Sequence, residues 1–151
     1  MSKTCRYIYG SEDIPFHFCR DKLTPEPVQG FFVIIPSMPI NKAKNYYLGK
    51  GSTRLNCAQS VIKAFQEHFG YDDKLVAEFL ACGGGRAPGG VCGAYFAAKH
   101  LLQKKDPAKL TEFDNWFLEK AGSLQCREIR EKRQLSCLGC VEKAAEFIAR
   151  Q

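Results

Sequence analysis

The sequence predicts an all-α protein: a helical bundle of about five to seven helices, preceded by an irregular N-terminal extension that holds at most a short strand. Three observations carry this expectation. From Asn41 onward, apolar residues recur at helical spacing. Capping residues and glycines punctuate that pattern at helix-sized intervals. The prolines crowd into the beginning of the chain, at Pro15, Pro25, Pro27, Pro36 and Pro39. A chain of 151 residues, 45% hydrophobic and 25% charged, is long enough for one domain to bury a core without covalent staples.

Residues 1–40 read as the irregular extension and residues 41–151 as a Cys-rich α-helical domain. Within the extension, Val28 to Ile35 is β-branched and aromatic enough for a short strand, and Ile14 to Phe18 alternates and can pair with it. The alternative is an extended arm laid over a neighbour, in which case the run Phe31 to Ile35 suggests a homodimer contact. The first helix is expected over Lys42–Lys50, ending near Gly49 or Gly51. The clearest is Asn56–Phe69. Asn56 is a capping residue, Gln59 occupies the position of its capping-box partner, and Gly70 follows the end. Its stripe of Cys57, Val61, Phe65 and Phe69 is widened by Ile62 and Ala64. Asp72 or Asp73 caps a third helix running through Cys82, where a glycine-rich loop to Cys92 breaks it. Gly93–Lys105 forms a fourth, with Ala94, Ala97, Ala98, Leu101 and Leu102 as its apolar positions. Asp106-Pro107 opens a fifth, to about Ala121, and Gln125–Arg133 and Cys137–Ala149 complete the set. No internal repeat is visible.

Charge and composition narrow the function. The residues after Met1 contain no apolar secretory segment, and the longest apolar run, Phe31 to Ile35, is too short to span a bilayer. The expectation is a cytoplasmic protein with no membrane partner. In that compartment eight cysteines point to metal or redox chemistry more than to structural disulfides. The net charge of +6 is partly local, at Arg127, Arg130, Lys132 and Arg133. No aromatic residues are interleaved with these charges, so they read as a solvated helix face and nucleic acid is not the expected partner.

Cysteine placement is the strongest functional signal. Cys57 follows the Asn56 cap, Cys92 leads the Gly93 helix, Cys126 opens the basic helix, and Cys137 follows a Ser136 cap. A helix start presents unpaired N–H groups and a partial positive charge, which favour the thiolate that binds metal or attacks a disulfide. Taken singly, each cysteine also fits as a small buried hydrophobe, and Cys57 lies on an apolar stripe. Taken together, Cys57, Cys92, Cys126 and Cys137 point to one shared redox centre. Cys5 and Cys19 fit neither pattern.

The spacings discriminate among cofactors only weakly. Cys137-Leu138-Gly139-Cys140 is a lone CxxC, without the second close pair that a zinc site usually has. Val141 stands where covalent haem attachment needs histidine, and thioredoxin-like chemistry expects a βαβ context. Single cysteines from different helices suit an iron–sulfur cluster, most simply a two-iron one, or a relay of thiols. The loop Gly83–Gly90 lacks the Lys-Ser/Thr ending of a P-loop and follows a helix, unlike a dinucleotide fingerprint. Its glycines, among them Gly84, Gly85 and Gly90, allow close backbone approach to cluster sulfurs or substrate, or serve only as a connector. Arg86 offers a charge to an anion. His17, His68 and His100 are isolated and read as ordinary surface or core residues.

Several segments in order carry a family resemblance. They are Asn56-Cys57-Ala58-Gln59-Ser60-Val61; Gly83-Gly84-Gly85 leading to Cys92-Gly93-Ala94; Phe113; Gly122-Ser123-Leu124-Gln125-Cys126-Arg127-Glu128; and Cys137 with Val141 and Ala144-Ala145-Glu146. Over about residues 42–150 the chain resembles the redox-active protein family named for a C_GCAxxG_C_C pattern. Two departures stand out: Gly93 is inserted after the cysteine, and Ala97 stands at the pattern's second glycine. Cys82 and Cys140 are additions, either of which can replace a missing ligand. The resemblance implies a small α-helical fold with four cysteines as a redox or metal centre. A similar domain in split-Soret-type cytochromes accompanies haems and an iron–sulfur centre. By that similarity Cys57, Cys92, Cys126 and Cys137 are the cluster-ligand candidates. The haem motifs are absent, so haem is not carried over.

The leading expectation is therefore an electron-transfer protein with an iron–sulfur cluster and a redox partner protein. One alternative is a metal-free thiol–disulfide oxidoreductase pairing Cys137 with Cys140 or Cys92 with Cys126. The other is a zinc-stabilised binding module.

Overall fold

Local capping explains where three of the helices begin. The computed structural model describes residues 37–151, so the strand expected at Val28 to Ile35, its partner at Ile14 to Phe18, and Cys5, His17 and Cys19 lie outside the described residues. Seven α-helices follow in order: α1 (Ser37–Leu48), α2 (Cys57–Phe69), α3 (Asp73–Glu78), α4 (Gly93–Lys105), α5 (Leu110–Ala121), α6 (Cys126–Lys132) and α7 (Cys137–Ala149). No β-sheet occurs among the described residues; a single antiparallel bridge joins Val91 to Gln125. None of the described helices is long and apolar enough to cross a membrane.

Asn56 caps α2 by accepting from the amides of Ala58 and Gln59, both at 2.9 Å, and Gln59 returns the bond to the Asn56 amide. Gly70 closes the helix in the left-handed conformation at φ 67°. Asp72 caps α3, and Ser136 caps α7 by accepting from the Gly139 amide at 3.0 Å.

Three expected boundaries move. α1 starts at Ser37 rather than Lys42, because Pro39 lies in the first turn, where a missing N–H breaks no helical bond. The third helix stops at Glu78 and tightens into a 3₁₀ turn over Phe79–Cys82. The fifth is opened by a 3₁₀ turn over Pro107–Lys109.

α7 is the centre of the bundle, packing against α1, α2, α4 and α5, while α2 also packs on α1 and α4. The contact faces are lined with small residues. Ala58, Ala94, Ala97, Ala98, Ala144 and Ala145 are all fully buried, which lets three backbones approach closely. Ala97, at the family pattern's second glycine, is one of them. Larger side chains fill the remaining layer. Phe113 stacks on Tyr95 with ring centroids 5.4 Å apart and meets Phe147 at 5.0 Å. This packing brings the starts of α2, α4 and α7 to one region.

Candidate functional site

Cys57, Cys126 and Cys137 are the first residues of α2, α6 and α7, and Cys92 is the capping residue of α4. All four placements agree with the sequence expectation. Cys57, Cys92 and Cys126 are buried, and Cys137 is exposed. Cys140 lies one turn into α7 on its buried face.

The structure brings these sulfurs into one neighbourhood. Charge on Cys92 or Cys137 raises the pKa of Cys57, and charge on Cys92, Cys137 or Cys57 raises that of Cys126. Packing agrees: a Cβ placed on Gly93 would sit 2.8 Å from the Cys57 sulfur, and one on Gly85 would sit 3.3 Å from the Cys126 sulfur. Cys82 meets the group through its carbonyl oxygen, 2.6 Å from the same Gly93 position.

The thiols differ in ionisation. Burial is the main cause that pushes Cys57 up, opposed by a hydrogen bond from the Gly84 amide. Burial likewise raises Cys126, with Arg130 pulling the other way. Cys92 is lowered from an ordinary 9.0 to about 7. The largest cause is a hydrogen bond donated by the Cys140 thiol; burial opposes it, and the amides of Tyr95 and Ala94 assist. Cys140, the donor, is held strongly in its neutral form. The thiol in contact with Cys92 is therefore Cys140. Within the CxxC, Cys137 is exposed and Cys140 is buried.

The glycine loop wraps this group. Gly84 and Gly85 take positive φ values of 66° and 84°, which permits Gly84 to aim its amide at Cys57 and Gly85 to pass over Cys126. Gly90 lies against the Gln125 side chain. Arg86 donates to the Gly83 carbonyl at 3.0 Å and the Leu80 carbonyl at 3.3 Å. Asn56 also donates to Leu80, at 3.0 Å, so one side chain both caps α2 and ties the loop's root to it. Asn56→Ala is expected to cost about 1–2 kcal/mol of stability, read as a lower urea midpoint with unchanged slope.

Two residues at the site lacked a signal in the sequence. Tyr47 of α1 is raised first by burial and then by Cys137, with which its hydroxyl hydrogen-bonds. Arg54 also bonds that hydroxyl, and its guanidinium lies 5.8 Å over the Tyr47 ring. Tyr47 and Arg54 share a cleft of about 590 Å³ with Cys57, Gly84 and Cys137. A neighbouring cleft of about 670 Å³ is bounded by Gly84, Gly85, Cys126, Arg130 and Arg133. The histidines stand apart from the cysteines: His68 approaches Lys105, and His100 packs edge-on to Phe79.

The donor set suits a soft metal or a sulfide cluster, since it consists of thiols with backbone amides directed at them. Among the described residues, no three Cys, His, Asp or Glu side chains close on one point as ligands of a single ion.

The family described as Putative redox-active protein (C_GCAxxG_C_C) matches residues 55–151, and the chain belongs to it. No curated protein and no solved structure matches the chain.

Proposed function

We propose that this member of the C_GCAxxG_C_C family is an electron-transfer protein whose centre is an iron–sulfur cluster held by Cys57, Cys92, Cys126 and Cys137. One observation carries the reading: cysteines from the starts of four different helices share a single neighbourhood. When bound, the cluster supplies one-electron exchange. The chain's own residues set the conditions for that exchange. The Gly84 amide donates to Cys57, the Ala94 and Tyr95 amides and the Cys140 thiol donate to Cys92, and the Tyr47 hydroxyl bonds Cys137. Each hydrogen bond stabilises negative charge on sulfur, so together they favour the reduced state and raise the potential. Burial of Cys57, Cys92 and Cys126 keeps water from three of the ligands, and exposed Cys137 leaves one edge open to a redox partner protein.

A second reading is favoured by the contact between Cys92 and Cys140. In it, the Cys92 thiolate attacks a substrate disulfide and releases one thiolate. Cys140 then loses its proton, attacks the mixed disulfide and releases the second thiolate. The substrate gains two electrons, and Cys92–Cys140 becomes the disulfide.

Metal and sulfide analysis of protein purified without oxygen separates the readings. Equal iron and acid-labile sulfide are expected, lost on Cys→Ser change at Cys57, Cys92, Cys126 or Cys137 and kept in Cys82→Ser. Protein free of iron, with Cys92 and Cys140 oxidising together, overturns the cluster and favours the thiol pair. Zinc without sulfide makes the centre structural.

A further inference from the structure

The cleft over Cys126 has features that electron transfer alone does not require. One wall is the glycine loop, whose Gly84, Gly85 and Gly90 carry no side chains into it. The other is α6 and the turn after it, which contribute Arg127, Arg130 and Arg133. Among the described residues the only carboxylate lining it is Glu131, and it is already paired with Arg127 at 2.8 Å. Arg130 and Arg133 form no ion pair among the described residues. The same two side chains line a hollow of about 300 Å³ beside Cys137, so they stand between two cysteines of the centre.

Arg133 adds an independent observation. It ends α6 in the left-handed conformation at φ 51°, the only non-glycine residue among those described with a positive φ. Glycine or asparagine fits such a position without strain, and a long side chain there costs about 1 kcal/mol. A guanidinium is thus held at the cleft at a conformational cost. The volume of about 670 Å³ lies within the range of small-molecule sites.

We propose that this cleft binds a small organic oxyanion, a carboxylate- or phosphate-bearing electron carrier, with its charge on Arg130 and Arg133 and its body over Cys126. That the ligand exchanges electrons rests on the redox reading above; that it binds does not. In the exchange, one electron leaves the reduced centre and the carrier gains it. Unpaired guanidinium groups hold the oxyanion by charge-assisted hydrogen bonds, and the side-chain-free glycine wall leaves room for the rest of the molecule.

Citrate, a redox-inert tricarboxylate, is the first probe. Calorimetry on the full chain, purified anaerobically, should give saturable binding at constant ionic strength, weakened at least about 10-fold in the double variant Arg130→Gln, Arg133→Asn. Asparagine keeps the left-handed turn, so the variant is expected to fold. The second probe is oxidation by hexacyanoferrate(III), an anion, and by tris(phenanthroline)cobalt(III), a cation. The anion should react faster, be slowed by citrate, and lose about 10-fold or more in the variant, while the cation's rate does not fall. Absence of citrate binding to the unaltered chain, or equal binding by the variant, overturns the site. If citrate binds but neither oxidant reacts, the site stands and the redox reading fails.

Discussion

Gly93→Ala is expected to destabilise the protein by about 1–3 kcal/mol and to break up the cysteine centre, although glycine to alanine within a helix ordinarily gains up to about 1 kcal/mol. The sign reverses because of what the new methyl group would meet. It would lie 2.6 Å from the Cys82 carbonyl oxygen and 2.8 Å from the Cys57 sulfur. The first of these is backbone and belongs to the 3₁₀ turn that leads into the glycine loop, so no side-chain rotation relieves it. Either α4 moves away from α2, separating Cys92 from Cys57, or the turn moves and takes the Gly84 amide with it. Thermal unfolding should show a melting temperature several degrees lower. On the cluster reading, iron and sulfide content should fall with it. A variant that melts at or above the parent's temperature, with its metal content intact, would mean that α4 is not clamped between these two groups. The glycine inserted into the family pattern thus has a specific role: only a residue without Cβ lets the cysteine before it stand this close to Cys57.

Much of this arrangement is legible in the sequence, because capping is local. Asn56, Gln59 and Gly70 specify both ends of α2 within one stretch of chain, and Ser136 specifies the start of α7 in the same way. Since Cys57 and Cys137 sit at such starts, their helical positions follow from neighbours a few residues away; Cys92 and Cys126 open α4 and α6 without a side-chain cap. What is not legible depends on how helices are rotated and brought together. The CxxC spacing does not tell that the core takes up one face of α7, leaving Cys137 outside and turning Cys140 towards Cys92. Tyr47 reaches Cys137 only through the packing of α1 on α7, and nothing near Tyr47 in the chain announces it. Pro39 reads as a breaker until its place in a first turn is known. The basic residues of α6 are exposed, as the sequence reads them, but the cleft they border is made by a loop far from them in sequence.

Cys140→Ala should abolish the low-pH titration of Cys92 in metal-free protein. The Cys140 thiol is the largest cause holding Cys92 at about 7, ahead of the amides of Tyr95 and Ala94. Without that donor, burial remains, and burial favours the neutral thiol. Cys92 should then titrate well above 7. At pH 7 the ionised fraction should fall well below the one half of a thiol that titrates at about 7. Ultraviolet thiolate absorbance measures this directly and needs no reagent to reach a buried sulfur. Stability should follow with a defined sign. Between about 7 and 9.0 the native state has released the Cys92 proton that the unfolded chain still holds, so native stability rises with pH. Above that window the unfolded chain loses both protons while Cys140 keeps its own, and the gain is lost again. Removing Cys140 should therefore cost more at the top of the window than below it. A variant whose thiolate titration still centres near pH 7 would show that the backbone amides alone ionise Cys92, and the second reading of the site would lose the contact on which it rests.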